Sequence, residues 1–554
     1  MGTQAQTTSE RLVGVRRLIA TVMVPVRESG DSVWLRRSHW IGAGLVTVLA
    51  LVVAIFRIDR PSPWADEAVT TLVVRGEWSG IPPLLGGADA PLVPYYVLAK
   101  AWAALFAWLP TLTAVRLLSA VAGALTVWVL YELVARRVGV GPAGVISLIL
   151  ISFPGWSRYA QEARPYALLV LMATVLWLAW DSRPPAEPTR FGSSLRGHGW
   201  LGWLPYVAAL GGSVVFHLFG LFQWPAQLLA DITTPGVTRR LRVRRLTQSV
   251  TAMAVAAVAF GLPVVIGALR GTGAPRLIPL TVKQLVFDFA VVVQAQPTLG
   301  ALIVVLVFIL IALLTVVFRL PAARRYTDLV RLAVIWAAVP LVLSVLAAVL
   351  RPSLLRARYW MPAVVPLAVL AGVGTLVLAG LVWQALRGWA DSPRGVPALR
   401  VVAAMLAILI GFGVQAYVAI PQQRFVRSEA GHAQRAKGAL AAMNDLLARN
   451  PGMPVGTSPY TRSTILWAMD EQLEPVDVLQ KRIPNTDSVW PVNRPTAEVS
   501  SLLAGHDQLV WMRAIIQSTP RPTLPPKPLQ ELGFRVVSAE KHGSWWVCIV
   551  ERGK

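Results

Sequence analysis

Arg60-Pro61-Ser62-Pro63-Trp64-Ala65-Asp66-Glu67-Ala68-Val69 interrupts the chain directly after an apolar run. That run, at about residues 40–57, has the ~20 residues needed to cross a bilayer. Adjacent carboxylates at a membrane surface are costly to hold without a task. The pair therefore marks the polar, acidic loop at about residues 58–112 as the segment to read first, and the apolar text on either side of it as membrane-spanning.

Composition agrees. The 554 residues are 55% hydrophobic and only 14% charged, a balance outside the range of soluble globular proteins. The net charge of +24 does not point to nucleic acid, because the basic residues cluster in short loops between apolar runs, as the positive-inside rule requires. A lone Cys548 excludes an intramolecular disulfide and a Cys-based metal cluster. The 22 Trp suit interfacial anchoring. Six Arg and no cleavable apolar core in residues 1–38 predict a cytoplasmic tail over 1–39 rather than a signal peptide.

The expected fold is an all-α polytopic membrane protein with about eleven spans. These lie at about 40–57, 113–134, 141–157, 164–181, 199–217, 218–232, 249–269, 299–318, 332–350, 360–383 and 399–420. Basic loops orient them: Arg136 and Arg137; Arg183, Arg190 and Arg196; Arg239 to Arg245; Arg319, Arg324 and Arg325; and Arg387, Arg394 and Arg400. With these inside, the amino terminus is cytoplasmic and the carboxyl terminus external. Residues 92–109 are apolar, yet a span there would invert every later loop. Lys100, Pro94 and Pro110 suit a helix lying on the outer leaflet better.

The membrane domain is expected over 40–420 and a soluble, extracytoplasmic α/β domain over 421–554. A polar helix is read at 422–450, a strand at Gln508–Arg513 and two strands around His542-Gly543. The text from Pro520 to Pro528 reads as loop. The domain carries no Gly-rich phosphate loop and no metal-spaced His set.

With this topology the unusual polar residues fall on the outer side. Asp66, Glu67 and Asp89 occupy the first outer loop, Gln161, Glu162 and Arg164 the second, and His217 the third. Lys283 lies in the fourth, and Arg351, Arg356 and Arg358 in the fifth, against the inside bias. Arg offers a planar fork suited to phosphate oxygens, and a carboxylate can take the proton of an attacking hydroxyl.

Four stretches carry a resemblance. In order they are Trp64 to Ala68, Pro91 to Tyr96 with an aromatic-rich helix after it, Tyr159-Ala160-Gln161-Glu162-Ala163-Arg164-Pro165-Tyr166, and Arg358-Tyr359-Trp360-Met361-Pro362. Phe216 to Phe222 is a fifth, less specific one. The chain resembles the C superfamily of membrane glycosyltransferases, the group with protein O-mannosyltransferases and lipid A aminoarabinose transferase. The resemblance implies a polyprenyl-phosphate sugar donor, with Asp66 as general base and Glu67 as its helper or an acceptor-orienting group. It also implies Arg358 at the donor phosphate, where Arg356 and Lys283 are further candidate cations. Asp89, Tyr95, Tyr96, Gln161, Glu162, Arg164 and His217 are expected to bind substrate or support the site, Glu162 and Arg164 as a pair beneath it. Where many members have His-Pro-Pro, this chain has Asp89-Ala90-Pro91, so no role passes to that loop by resemblance.

The implied chemistry is a single displacement with inversion on an extracytoplasmic glycan, lipoglycan or glycolipid hydroxyl at the cell membrane. No metal is required, although Asp66 and Asp89 could hold a divalent ion. Residue usage fits a high-GC actinobacterium, where mannose is the first choice of sugar. An arabinosyltransferase and a protein O-mannosyltransferase stay open. A lipid-linked sugar transporter or flippase is the rival of another class. Such proteins usually carry midplane charges and internal repeats, and neither is visible in the sequence.

Overall fold

A computed structural model describes residues 33–183, 202–261, 280–350, 356–386, 397–458, 462–515 and 520–553. Most of the expected cytoplasmic tail, the basic positions Arg190, Arg196, Arg351, Arg387 and Arg394, and the end of the span expected at 249–269 lie outside the described residues.

Helix α1 (Val33–Ile55) is a 23-residue apolar rod, roughly 34 Å long at 1.5 Å per residue. It delivers the chain to the acidic loop: Arg57, in the left-handed region (φ 57), turns the chain out just past the helix end, and α2 (Ala65–Arg75) begins afresh after Pro61 and Pro63. Helix α3 (Val93–Leu105) has 13 residues, too few to span, and Lys100 on it donates to the Val74 carbonyl at 2.8 Å. The sequence placed Lys100 at an interface; its ammonium instead ties α3 to the end of α2.

Among the described residues six helices are long and apolar enough to cross a membrane, or seven if one bent pair counts as a span. Among them are α1, α4 (Thr111–Val138) and, further along, runs within 299–317, 321–350, 357–385 and 399–426. The expected span at 141–157 is bent by 72° between α5 (Val140–Ser152) and α6 (Pro154–Ala160). Phe153 is extended and Pro154 opens the new helix, because proline lacks the donor needed to continue the old one. This bend turns Tyr159–Tyr166 inward, and α7 (Tyr166–Asp181) leads away from it.

The region expected as one span at 218–232 is broken. After α8 (Leu204–Phe216) it forms a 3-10 turn, Leu218–Phe222, and then α9 (Gln223–Thr233). Its polar side chains are paired inside the bundle: Trp177 donates to Gln223 at 3.1 Å, Tyr206 to Gln227 at 2.8 Å, and Arg183 to Asp231 at 2.8 Å. Buried polar groups need such partners.

Helices α10 (Arg239–Phe260), α11 (Val282–Val293), α12 (Leu299–Val317) and α13 (Thr327–Leu350) follow. Helix α14 (Val364–Ala385) is enclosed on nearly every side, as a helix apolar all round must be. Gly374 permits its approach to α12, since a Cβ there would stand 1.9 Å from the Phe308 carbonyl oxygen. Helix α15 (Pro397–Val426) passes through Pro421 and runs beyond the boundary expected at 420.

A 3-10 turn (Glu429–His432) then precedes α16 (Lys437–Arg449), so the polar helix starts later than 422. The remainder includes a two-stranded antiparallel ladder, β2 (Gln480–Lys481) with β3 (Val492–Asn493), and a four-stranded sheet, order β1-β4-β6-β5, with β1 (Val455–Thr457) parallel to β4 (Gln508–Ala514). Strands β5 (Phe534–His542) and β6 (Trp545–Arg552) complete it antiparallel. Its core includes Ile465, Trp467, Met512 and Trp545, and it incorporates Ala68 and Leu72 of α2. Arg75 donates to the Trp467 carbonyl at 2.6 Å and Arg482 to the Leu72 carbonyl at 3.2 Å. The acidic loop is thus clamped between the helical bundle and the sheet domain.

Candidate active site

The first turn of α2 places its two neighbouring acids in opposite surroundings. Asp66 and Glu67 both gain from the helix dipole, yet the helical period points them to different sides.

Glu67 faces inward. Its side chain and that of Arg116 are each 0% exposed, and the pair is bidentate: Nε donates to Oε1 at 2.9 Å and Nη2 to Oε2 at 3.0 Å. Arg116 Nη1 also donates to the Ile58 and Pro61 carbonyls, both at 2.9 Å. The Ala163 N–H donates to Glu67 Oε1 at 2.8 Å, and His432 Nδ1 lies 2.7 Å from Oε2. A carboxylate only accepts, so this contact puts the imidazole proton on Nδ1. Burial pushes the Glu67 carboxyl up, but Arg116 and His432 outweigh it and hold the group well below the usual carboxylate range. Burial pushes the His432 imidazole down, against the opposing pull of Glu67. Both Glu67 oxygens are therefore enclosed. Of the two roles expected for Glu67, that of an acceptor-orienting group does not fit, because Arg116, His432 and Ala163 surround the carboxylate; its geometry is that of an anchor.

Asp66 keeps 22% of its side chain exposed. Arg358 Nη1 stands 3.7 Å from Oδ2 and Arg164 Nη2 3.8 Å from the same oxygen, distances of ion pairs rather than hydrogen bonds. The Arg358 guanidinium carbon lies 5.1 Å from the Trp64 ring centroid, 5.6 Å from Tyr359 and 5.9 Å from Tyr166, within cation–π range of each. The buried Nε atoms of Arg358 and Arg164 have no hydrogen-bond partner among the described residues. Residues from three separate stretches of sequence thus meet at one carboxylate.

The supporting candidates divide. Tyr96 donates to Asp89 at 3.5 Å, a long bond, and Tyr95 is buried beside it. Burial pushes the Asp89 carboxyl up; Arg164 opposes this and Asp66 adds to it. Glu162 accepts from the Trp64 indole at 3.0 Å, with Arg158 at 3.8 Å, so the expected pairing of Glu162 with Arg164 is replaced by these contacts. Burial drives the Glu162 carboxyl up to about 7 despite the opposing charge of Arg158. Gln161 is structural: its amide donates to the Ala54 and Phe56 carbonyls at 2.7 and 3.0 Å, tying the bend to the end of α1. His217 accepts from the Phe219 N–H at 3.2 Å and packs 4.6 Å from the Tyr359 ring centroid. Burial, then Arg358 and Arg164, lower its pKa to about 3, so it is a neutral wall.

Two expected cations stand apart from Asp66. Lys283 is exposed in the first turn of α11. Arg356 lies near Asp288, a buried carboxylate of α11 that the sequence reading passed over. Asp288 Oδ1 accepts from Gln284 at 3.0 Å. Arg116 and His432 were missed as well. Arg116 carried a signal, since a charged side chain inside an apolar span calls for a partner; His432, in polar text beyond the last span, carried none. Among the described residues no three His, Cys, Asp or Glu side chains group as a metal site.

No protein-family profile and no curated protein matches the chain. Among solved structures, the chain is similar to apo ArnT from Cupriavidus metallidurans, at 17% identity and TM-score 0.49, over 92% of this chain and 97% of that one. ArnT from the same organism bound to undecaprenyl phosphate matches at 16% identity and TM-score 0.45, over 92% and 98%. Archaeal oligosaccharyltransferase AglB from Archaeoglobus fulgidus, in complex with an inhibitory peptide and a dolichol-phosphate, matches at 12% identity and TM-score 0.47, over 85% and 69%.

Proposed function

We propose that this chain is a C-superfamily membrane glycosyltransferase that moves a sugar, mannose by preference, from a polyprenyl-phosphate carrier to the hydroxyl of an envelope glycan, lipoglycan or glycolipid. The reaction takes place on the outer face of the cell membrane, where the carboxyl-terminal domain also lies. The observation that carries this reading is the partly exposed Asp66 carboxylate flanked, at 3.7 and 3.8 Å, by Arg358 and Arg164.

Asp66 takes the proton of the acceptor hydroxyl. The freed oxygen attacks the anomeric carbon on the face opposite the carrier phosphate, so configuration inverts. The carbon–oxygen bond to phosphate breaks and polyprenyl monophosphate leaves, a good leaving group that needs no protein acid. Arg358 is the cation for that phosphate, since its guanidinium is steered by three aromatic rings and keeps a donor in hand. Arg164 approaches the same oxygen of Asp66 at 3.8 Å and helps to hold the carboxylate. Glu67, through Arg116 and His432, fixes the turn that aims Asp66. A preorganised base and cation of this kind need little rearrangement at the moment of reaction.

The test is turnover of labelled polyprenyl-phosphate mannose with a defined envelope acceptor. Asp66→Asn should fold and insert normally while losing on the order of a hundredfold or more in kcat. Turnover at the wild-type rate by this variant would remove Asp66 as the base.

A further inference from the structure

A second lipid-facing feature lies apart from Asp66. Helices α1, α5 and α15 enclose a cavity of about 440 Å³, within the range of lipid- and drug-sized sites. Its walls are aliphatic and aromatic, from Leu49, Phe56, Ile151 and Phe412 among others. Its charged members are Arg57, Arg424 and Arg427, with no carboxylate among the lining residues.

Two of these arginines, Arg57 and Arg427, gather beside Phe56. Arg57 sits in a left-handed backbone conformation (φ 57) just past α1, its guanidinium carbon 5.2 Å from the Phe56 ring centroid. Arg427 lies 6.0 Å from the same centroid and is fixed by donating to the Gln423 and Val53 carbonyls at 2.9 and 2.8 Å. Arg424 is exposed one turn earlier on α15. With the orientation proposed above, these cations lie on the outer side, against the inside bias of basic residues. An apolar trough lined by three guanidiniums with no carboxylate partner among the described residues complements one kind of molecule: an acyl chain carrying a phosphate.

We infer that this groove binds an anionic glycerophospholipid of the surrounding leaflet, its phosphate on Arg57, Arg424 and Arg427 and one acyl chain along α1 and α15. The sugar donor is a poor fit here. Neither Asp66 nor the two arginines beside it line the groove, and Gln161, Arg116 and Glu67, which tie the stretch from Phe56 to Pro61 into the bundle, are completely buried. The bound lipid would instead brace the chain from Arg427 through Ser428 to Glu429–His432, the turn that holds Glu67.

The measurement is native mass spectrometry of the full chain released from nanodiscs of equal phosphatidylglycerol and phosphatidylcholine. It reads binding without turnover, so it stands or falls separately from glycosyl transfer. One retained phosphatidylglycerol, at least tenfold preferred over phosphatidylcholine, is expected. Arg57→Gln with Arg424→Gln should abolish the preference, and Ala416→Phe should lower retention by filling the trough while leaving the arginines. Equal retention of the two lipids by the wild type would overturn the inference. So would undiminished retention by both variants, or displacement of the phospholipid by equimolar polyprenyl phosphate, which would make the groove a carrier site.

Discussion

Replacing Arg116 with Met keeps side-chain bulk but strands a carboxylate. Arg116 supplies two of the close hydrogen bonds to Glu67, and its loss also leaves the Ile58 and Pro61 carbonyls without their 2.9 Å donor. Breaking a buried pair by removing one partner costs about 3–5 kcal/mol, because an uncompensated charge remains in the interior. His432 at 2.7 Å and the Ala163 N–H at 2.8 Å still hold Glu67, which argues for the lower part of that range. For 554 residues, at about 2.1 cal/mol/K of unfolding entropy each, this corresponds to a fall in Tm of roughly 2–4 °C. The assay is thermal melting of the purified protein in detergent, with activity at 25 °C in parallel. Activity should fall too, since the loop from Ile58 to Asp66 loses its tie to α4. The Glu67→Gln, Arg116→Met double variant should recover part of the lost Tm, as it no longer buries an unpaired charge. A single variant melting within a degree of wild type, or a double variant showing simple additivity, would refute the reasoning.

Arg358→Ala should raise the apparent donor KM or lower kcat by roughly 10–100-fold, the scale of one charge-assisted contact of about 1.5–3 kcal/mol. Arg358→Lys should rescue only in part, because the charge survives and the fork does not; wild-type kinetics in both at low donor concentration would move the phosphate to another cation. Glu162→Gln should keep near-wild-type activity at pH 6, where a carboxyl raised to about 7 is mostly protonated, and should lose any pH dependence that Glu162 contributes around neutrality; Glu162→Ala, which deprives the Trp64 indole of its acceptor, should be impaired at every pH. Stability should decline as pH falls below ~6.5, since the unfolded chain then binds a proton at His432 that the folded chain resists. Glu67, depressed in the fold, adds a further loss below ~4.3, and in melting curves His432→Asn should remove the first step and retain the second. Cysteine labelling checks the orientation: with Cys548 changed to Ser, a cysteine near Gly452 should react with an impermeant reagent in intact cells, and one in Arg239–Arg245 should not.

Hydrophobic length and charge bias are properties of short stretches, and what depends on them was legible in the sequence. The apolar runs, the acidic loop after α1, and the strands around His542-Gly543 were all readable locally. So was the choice of Asp66 and Arg358 as residues of interest, since both stand out against their surroundings. Local patterning was weaker where the backbone breaks inside an apolar run, as at Phe153-Pro154 and between Phe222 and Gln223.

Only the tertiary structure decided how neighbours in sequence divide their work. Asp66 and Glu67 are adjacent, yet one lies partly exposed beside two arginines while the other is sealed among groups from positions 116, 163 and 432. Helical geometry makes adjacent residues diverge, but which side is interior depends on the helix and the domain that pack against α2. The partnership of Glu67 with His432 spans 365 positions, and no periodicity or motif encodes a contact of that separation. Burial itself then sets the chemistry: the same carboxyl group is an anchor where desolvation compels pairing, and is open to a substrate where it does not.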